Sequence, residues 1–559
     1  MRANRSARRR IKRSHTQRLP PAAGVPPRPA PRAVGRTQRR QASGYGDAGA
    51  SATRRALKAF MASSRSPVED IDFHNYTLRQ RGRMLYMASP VAAAAINTNR
   101  TKVVGTGLHM RCAIDRETLG LSEEEAKAWQ KHTEREFCMW ASDKHKCDAL
   151  GVNNFWGLQQ LVVKSWLMSG DVFSLHKRAE ATPMNPYTLR LHIIEADRVS
   201  TPVDMMGAVI PSATEGVNPQ NGNRIHDGVE IDGSGHVVAY HIRNTYPYQI
   251  TAEPAAWQRV TAVGEVTGLP NILHVMASER PDQYRGVTYL AQVIEPLLQM
   301  RRFTDSTLMA ALVQTFFTAW ITTDSDASDI PFNEVGTGDI EGLPGEYLPG
   351  EYPAGQPDSV SRSDSEYEMG PATVNHLESG EQIHFGNPNI PTASFESFFK
   401  TMCKLIGAAL EIPYDVLIKE FNSSYSAAKG ALEEAWEAFK MRRVWMVDDF
   451  CQPTYEAWLS EAVAIGRIKA PGFFVDPLIR AAWCGAHWDG PAQTHLDPLK
   501  EARANEVAVD RGWKSNEQVT REFYGGNWQE NAEIVNQENR MSPAVRGAPG
   551  LCPEPASPS

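Results

Sequence analysis

The chain has 559 residues, 42% of them hydrophobic, enough to bury a large core and to divide into about three or four domains. Its formal net charge of −6 hides an asymmetry: residues 1–60 hold 16 Lys and Arg against one acid, Asp47, and the remainder holds 43 basic and 64 acidic residues. Seven cysteines with no CxxC spacing argue against a zinc ribbon or a disulfide framework, and the longest apolar stretches are too short or too polar to span a bilayer.

Residues 1–60 are rich in Arg, Pro, Ala and Gly and lack the apolar mass to offset their ordering entropy, so a disordered basic arm is expected. It has no apolar segment of the secretory kind. One helix is predicted over 76–103, and VVGTGLHMRCAI then reads as a glycine turn into a strand. LSEEEAKAWQKHTEREF opens on a capping box, Ser122 with Glu125. FWGLQQLVVKSWLMSGDVFSLHKR reads as helix, Gly170 stop and strand, and LRLHIIEADRVS as a further strand. GVEIDGSGHVVAYHIRNTYP reads as a hairpin, with Val229 and Ile231 alternating before a glycine-rich turn and Val237, Ala239 and His241 after it. Residues 76–275 therefore predict a mixed α+β domain.

Helical spacing resumes over 290–320, where Pro296 either starts the regular part or kinks it. Residues 324–370 hold 12 acids against one base, Arg362, and contain the echo LPGEYLPGEYPAG, an acidic, turn-rich insert. GEQIHF predicts a strand, and SFESFFKTMCKLIGAAL a helix with Phe395, Phe398, Met402, Leu405 and Ile406 on one side, ending before Pro413. The polar run FNSSYS follows, and then a long helix from about Ser426 to Gly466, bent at Pro453. Its N-cap would be Ser424 or Ser426. Beyond it, Asp497-Pro498, Gly512 and the Ser515–Gln518 capping box mark further helices, and 541–559 predict a disordered tail.

No P-loop, GxSxG, HExxH or GxGxxG occurs. Asp324, Asp326 and Asp329 look like half a calcium loop without its glycine and closing glutamate, so no metal, cofactor or catalytic residue is assigned. DPLKEARANEVAVDRGWKSNEQVTREFY looks like a helix-turn-helix reader. Its second helix balances Lys514 and Arg521 against Glu517 and Glu522, which suits helix packing better than DNA reading.

Several stretches together resemble the lambda-like family of tailed-phage portal proteins: RGRMLYMASPVAAAAINTNRTKVVGTGL, HIIEADRVSTP, GVEIDGSGHVVAYHI, LHVMASERPDQYRGVTYL, IGAALEIPYDVLIKEFNSSYSAAKGALEEAWEAF and AWCGAHWDGPAQTHLDPLKEARANEVAVDRGWKS. They occur in the family's order over about residues 70–540. The resemblance implies an α+β portal fold assembled as a ring of about twelve subunits. It implies a wing at 61–285, a first stem helix region at 286–322, a clip with the acidic insert at 323–392 and a second stem helix at 393–411. A channel loop at 412–426, a wing helix and return at 427–494 and a helical crown at 495–540 would follow. The basic arm and the acidic insert with its LPGEY echo are not carried over from the resemblance. Lys419, Phe421, Asn422, Ser423, Ser424, Tyr425, Ser426 and Lys429 are the candidate channel-loop residues.

The implied protein is not an enzyme. It sits at the capsid portal vertex of a virion, after assembly in the host cytoplasm, and passes double-stranded DNA without sequence specificity. Its implied partners are further copies of itself, the terminase large subunit, head–tail connector or adaptor proteins, and the major capsid and scaffolding proteins. No membrane partner is implied. An acidic body suits a conduit, because each neutralised phosphate adds affinity through counterion release and would slow sliding. The alternative is a DNA-binding or DNA-processing protein, for which the basic arm and the helix-turn-helix likeness argue.

Overall fold

The structure, a computed structural model, describes residues 50, 55–57, 59–60, 62–205, 215–249, 254–315, 319–321, 374–376, 392–420, 424–493, 497–523, 526 and 528–546. The basic arm up to residue 49, the acidic run 324–370, the GEQIHF segment and residues 547–559 lie outside them. The chain divides into Met1–Ser64 and Arg65–Ser559. In the first unit the Phe60 N–H donates to the Leu57 carbonyl at 3.1 Å, closing a turn. All elements below belong to the second.

The helix expected over 76–103 is two helices, α1 (Phe73–Ala88) and α2 (Pro90–Val103). Ser89 between them is extended, at φ −116° and ψ 117°, as a residue before proline prefers. Pro90 then opens α2 at a position where an N–H would have no helical partner. β1 (His109–Cys112), α3 (Arg116–Leu119) and α4 (Glu123–Ala141) follow. The capping box forms: Ser122 Oγ accepts from the Glu125 N–H at 3.3 Å, and the Glu125 carboxylate accepts from the Ser122 N–H at 3.0 Å. α5 (Lys144–Cys147) and α6 (Phe155–Ser169) lead to Gly170, whose φ of 96° ends the helix and turns the chain into β2 (Asp171–Arg178).

β3 (Leu189–Glu195) pairs antiparallel with β2. β4 (Glu215–Val217), β5 (Arg224–His226), β6 (Val229–Ile231), β7 (Val237–Arg243) and β8 (Trp257–Thr261) form a five-stranded antiparallel meander. β9 (Ile272–Met276) returns to the other edge of β2, giving the order β3-β2-β9. Side chains of both sheets meet in one apolar cluster, with Phe173, Ile194 and Ile272 from the first and Val229, Tyr240 and Ile242 from the second. The expected hairpin is β6–β7, its turn tied by Asp232, whose Oδ1 accepts from the Ser234 and His236 N–H groups at 2.8 and 2.9 Å. The expected alternation fails at Glu230, which is buried like its neighbours. Arg259, Asn218, Asn221, Asn223 and His241 all bond its carboxylate, at 2.7–3.2 Å. Burial works against the charge, but those bonds together hold the carboxyl well below its usual range.

α7 (Ile294–Thr315) has Pro296 in its first turn, so the proline starts the helix. β10 (Ala319–Ile321) and β11 (Val374–His376) pair in parallel. α8 (Thr392–Ala409) runs antiparallel against α7. Met300 and Cys403 bring their sulfurs within 3.9 Å, and one turn on Phe303 lies 4.4 Å from Phe398 and 5.7 Å from Phe395. α9 (Tyr414–Ile418) precedes the long helical run, which comprises α10 (Tyr425–Met446), a π-helical turn at Val447–Cys451 and α11 (Gln452–Ala464). The irregularity expected at Pro453 is displaced one turn earlier: the proline lacks the N–H that would bond back, and the wider π turn takes up the change of register.

α12 (Pro477–Cys484) and β12 (Ala486–Asp489), which pairs antiparallel with β1, close the body. α13 (Pro498–Asp510), α14 (Asn516–Phe523) and α15 (Trp528–Arg546) follow, α15 continuing through 541–546, where the tail was expected to begin. Gly512, at φ 72°, stops α13, and the Ser515–Gln518 box forms with both bonds at 3.1 Å. The large core centres on Phe137, whose ring lies 5.1–6.1 Å from Trp140, Phe155, Tyr455, Trp458 and Trp488. Residues more than 300 positions apart are thus joined by apolar area removed from water.

Candidate functional site

The candidate loop hangs between two well-packed supports. On its N-terminal side, Gly407 of α8 comes so close to the returning chain that an added Cβ would stand 2.5 Å from the Ile412 carbonyl oxygen. The Tyr289 hydroxyl donates to the Leu410 carbonyl, and burial pushes that hydroxyl up to about 12. Glu411, at φ 52°, holds a left-handed conformation and accepts from Arg442 Nη2 of α10 at 2.6 Å. Arg442 also donates to Asn99 Oδ1 of α2 at 3.1 Å and lies 5.0 Å above the Tyr289 ring. One guanidinium thus ties the loop's entry to the helix that follows it.

Nearer the loop, the Tyr414 hydroxyl donates to Glu420 at 2.7 Å, which pushes the phenol up to about 12. Lys400 bridges Glu420 at 3.3 Å and Glu396 at 2.7 Å. Lys419 caps α9 in the left-handed conformation, φ 62° and ψ 37°. Phe421, Asn422 and Ser423 lie outside the described residues. Ser424 occupies the N-cap position in an extended conformation, but its side chain makes no capping hydrogen bond. Tyr425 and Ser426 begin the helix, their side chains outside the described residues. Lys429 lies 3.4 Å from Glu501 of α13 and 3.8 Å from Glu433, so its charge is matched within the chain. The structure therefore places Ser424 and Lys429 at the start of α10 and Lys419 at the end of α9.

A buried ionic knot, which the sequence reading did not pick out, holds the start of α7. Gly170 and Gly286 lie back to back: a Cβ on Gly286 would stand 2.0 Å from the Gly170 carbonyl oxygen, so the chains touch only because both lack one. That approach sets Asp171 against Arg285, with Nε–Oδ2 at 2.6 Å and Nη2–Oδ1 at 3.2 Å. Arg285 and Arg79 both reach Asp227, at 2.7 and 2.8 Å, and His274 lies 3.3 Å from Asp171. Burial would raise the Asp171 carboxyl, but the two guanidiniums hold it well below the usual range. Burial keeps His274 below its ordinary value. Asp171 leaves a faint signal in the sequence, a single charge among small and apolar residues in SGDVF, whereas Arg285 stands in the polar run DQYRG.

Three carboxylates, Asp72, Asp171 and Asp227, face two guanidiniums in this knot, and Asp72 is the one without an ion pair. Its Oδ2 is buried without a hydrogen-bond partner, and burial, then the Asp227 charge, push it up to about 7. The folded chain binds this proton more tightly than the unfolded one. Stability is therefore present in full near pH 4 and is lost as pH rises toward 7. The loss is at most about 1.4 kcal/mol per pH unit. Urea melts between pH 4 and 7 should show that slope in the native sequence and a flatter profile in Asp72→Asn.

Among the described residues no group of three or more His, Cys, Asp or Glu is placed to hold a metal ion, and no helix is long and apolar enough to cross a membrane. The chain is 22% identical over 93% of its length to portal protein B of Escherichia phage lambda, covering 93% of that protein. It is 22% identical to the portal protein of Escherichia phage N15, over 83% of each chain. It is similar in structure to a chain from the neck of an empty gene transfer agent particle, at 13% identity and a TM-score of 0.36, over 80% of this chain and 92% of that one. The model of the lambda family of phage portal proteins matches residues 53–443. A match of that extent, running from the arm's end through the α+β body, the α7–α8 pair and most of α10, shows that the chain belongs to the lambda family of phage portal proteins.

Proposed function

We propose that the chain forms a ring of about twelve copies at one capsid vertex and serves as the conduit for double-stranded DNA during packaging and ejection. The family match over residues 53–443 carries this reading. In it the α+β part, 61–285, is the wing, α7 and α8 are the stem, and 323–392 is the clip, which faces the terminase large subunit and the connector proteins. α10 and α11 cross back through the wing, and α13–α15 form the crown. Capsid and scaffolding proteins meet the outer surface, and the ring nucleates procapsid assembly. The chain itself performs no chemistry; the terminase supplies the ATP hydrolysis.

The loop 412–426 faces the channel. Its supports are packed and ion-paired while Lys419 ends the short helix α9 within it, which suits a segment that meets DNA without gripping it. Mass photometry and negative-stain images of the purified chain should give rings of about twelve copies with an open centre, without nucleotide and in EDTA. A sharp monomer at micromolar concentration would refute the ring. Replacing Asn422, Ser423 and Ser424 together by glycine should shift stability by no more than about 0.5 kcal/mol and leave ring assembly intact. The same variant should lower the yield of DNA-filled particles. A glycine variant that packages normally would remove the loop from the channel.

A further inference from the structure

The exposed faces of α7 and α10 complement each other, and among the described residues no α7 side chain lines the groove beside α10. On α7, Leu298, Arg302 and Met309 lie on the side opposite the buried Leu297 and Met300 and are all exposed. Arg302 makes no ion pair among the described residues, whereas Arg301 beside it approaches Asp305 at 3.8 Å. The other face is a groove of about 790 Å³. Gly407, Ile412 and Tyr414 line one wall, and Ala431, Glu434 and Ala438 of α10 line the other. Glu434 is exposed and makes no ion pair among the described residues, whereas Glu437 on the same helix pairs with Lys440 at 3.0 Å.

The dimensions fit a helix. A groove of that volume holds about two turns of a helix roughly 10 Å across. The alanines and Gly407 let a backbone approach closely. The interval from Arg302 to Met309 equals that from Glu434 to the exposed Met441, so helices side by side in the same sense bring charge to charge and methionine to methionine in one register. Leu298 then falls beside Gly430, one residue before the groove-lining Ala431.

We propose that this groove receives the Leu298–Arg302–Met309 face of α7 from a neighbouring copy of the chain. Each copy gives its α7 face to one neighbour and its groove to the other, a head-to-tail contact of the kind that closes a ring. The inference rests on the ring reading above and names the surfaces that would build it. The Arg302–Glu434 pair sets the register, and like charges at that point oppose assembly.

The test uses the full chain and three samples beside the native one: Arg302→Glu, Glu434→Arg, and an equal mixture of the two. Each variant alone should need at least a tenfold higher concentration for half-assembly, read by mass photometry. The mixture should assemble close to the native concentration. Alternating copies then set the two substituted side chains against each other at one interface and the native Arg302 against the native Glu434 at the next. Opposite charges meet at both, and this rescue also shows that both variants fold. A mixture that assembles no better than its components overturns the proposal, as do single variants that assemble like the native chain. A native chain that forms no ring at all refutes the ring reading itself, so the two failures are told apart.

Discussion

Arg285→Met is expected to cost about 3–5 kcal/mol of unfolding free energy, the typical result of removing one partner from a buried ion pair. Arg285 is fully buried, pairs with Asp171 and Asp227, and donates to the Val199 and Ala196 carbonyls at 2.9 Å each. Met nearly preserves the volume, so the loss is electrostatic and not a cavity. The three buried carboxylates, Asp72, Asp171 and Asp227, then face Arg79 alone, and their affinity for protons rises in the folded state. Folded carboxyls raised above their unfolded values add stability as pH falls, so the deficit should shrink between pH 8 and pH 5. Denaturant midpoints at the two pH values measure both effects. A deficit below about 1 kcal/mol, or one that grows on acidification, would show that the knot is not carrying the joint between β2 and the segment leading into α7.

Trp436→Ala should cost about 3–5 kcal/mol and reduce ring yield, in contrast to the loop variant only a few turns away. Trp436 is 6% exposed and packs edge-on to Phe439 at 6.5 Å. Arg443 lies 5.4 Å over its ring and donates to the carbonyls of Lys102, Val103 and Pro491 at 2.8–2.9 Å. Removing the indole thus opens a cavity and also frees the side chain that satisfies the C-terminal carbonyls of α2. Thermal unfolding and particle counts on Trp436→Ala and the triple-glycine variant, run side by side, separate scaffold from channel. A glycine variant that fails to form rings while Trp436→Ala forms them would invert the two assignments.

Elements whose signals are local could be read in the chain itself. The Ser122 and Ser515 capping boxes, the Gly170 and Gly512 stops and the β6–β7 hairpin all stand where their residues predict them, because each depends on contacts within a few positions. The α7–α8 pair was legible for the same reason, its apolar residues repeating at helical spacing. Pro453 was also visible, yet its consequence was misplaced, and Pro90 divides a run read as one helix. Whether a proline ends a helix, starts one or is absorbed by a π turn depends on what the flanking turns pack against.

Tertiary structure alone decided the rest. Glu230 sits in a strand whose alternation predicts an exposed position, and Arg259, His241 and three asparagines, brought in from elsewhere in the meander, let it be buried with its charge. Asp72, Arg79, Asp171, Asp227 and Arg285 span more than 200 positions, and nothing in their neighbours announces that they meet. At the candidate loop, the sequence by itself marked a polar run at the head of a long helix. The fold decided which of its lysines is neutralised: Lys429 is matched by Glu501, from a helix some 70 residues later, and Lys419 lies at the end of α9. Local propensity follows from backbone and side-chain sterics within a turn or two. The balance of a buried charge depends on every element that folds against it.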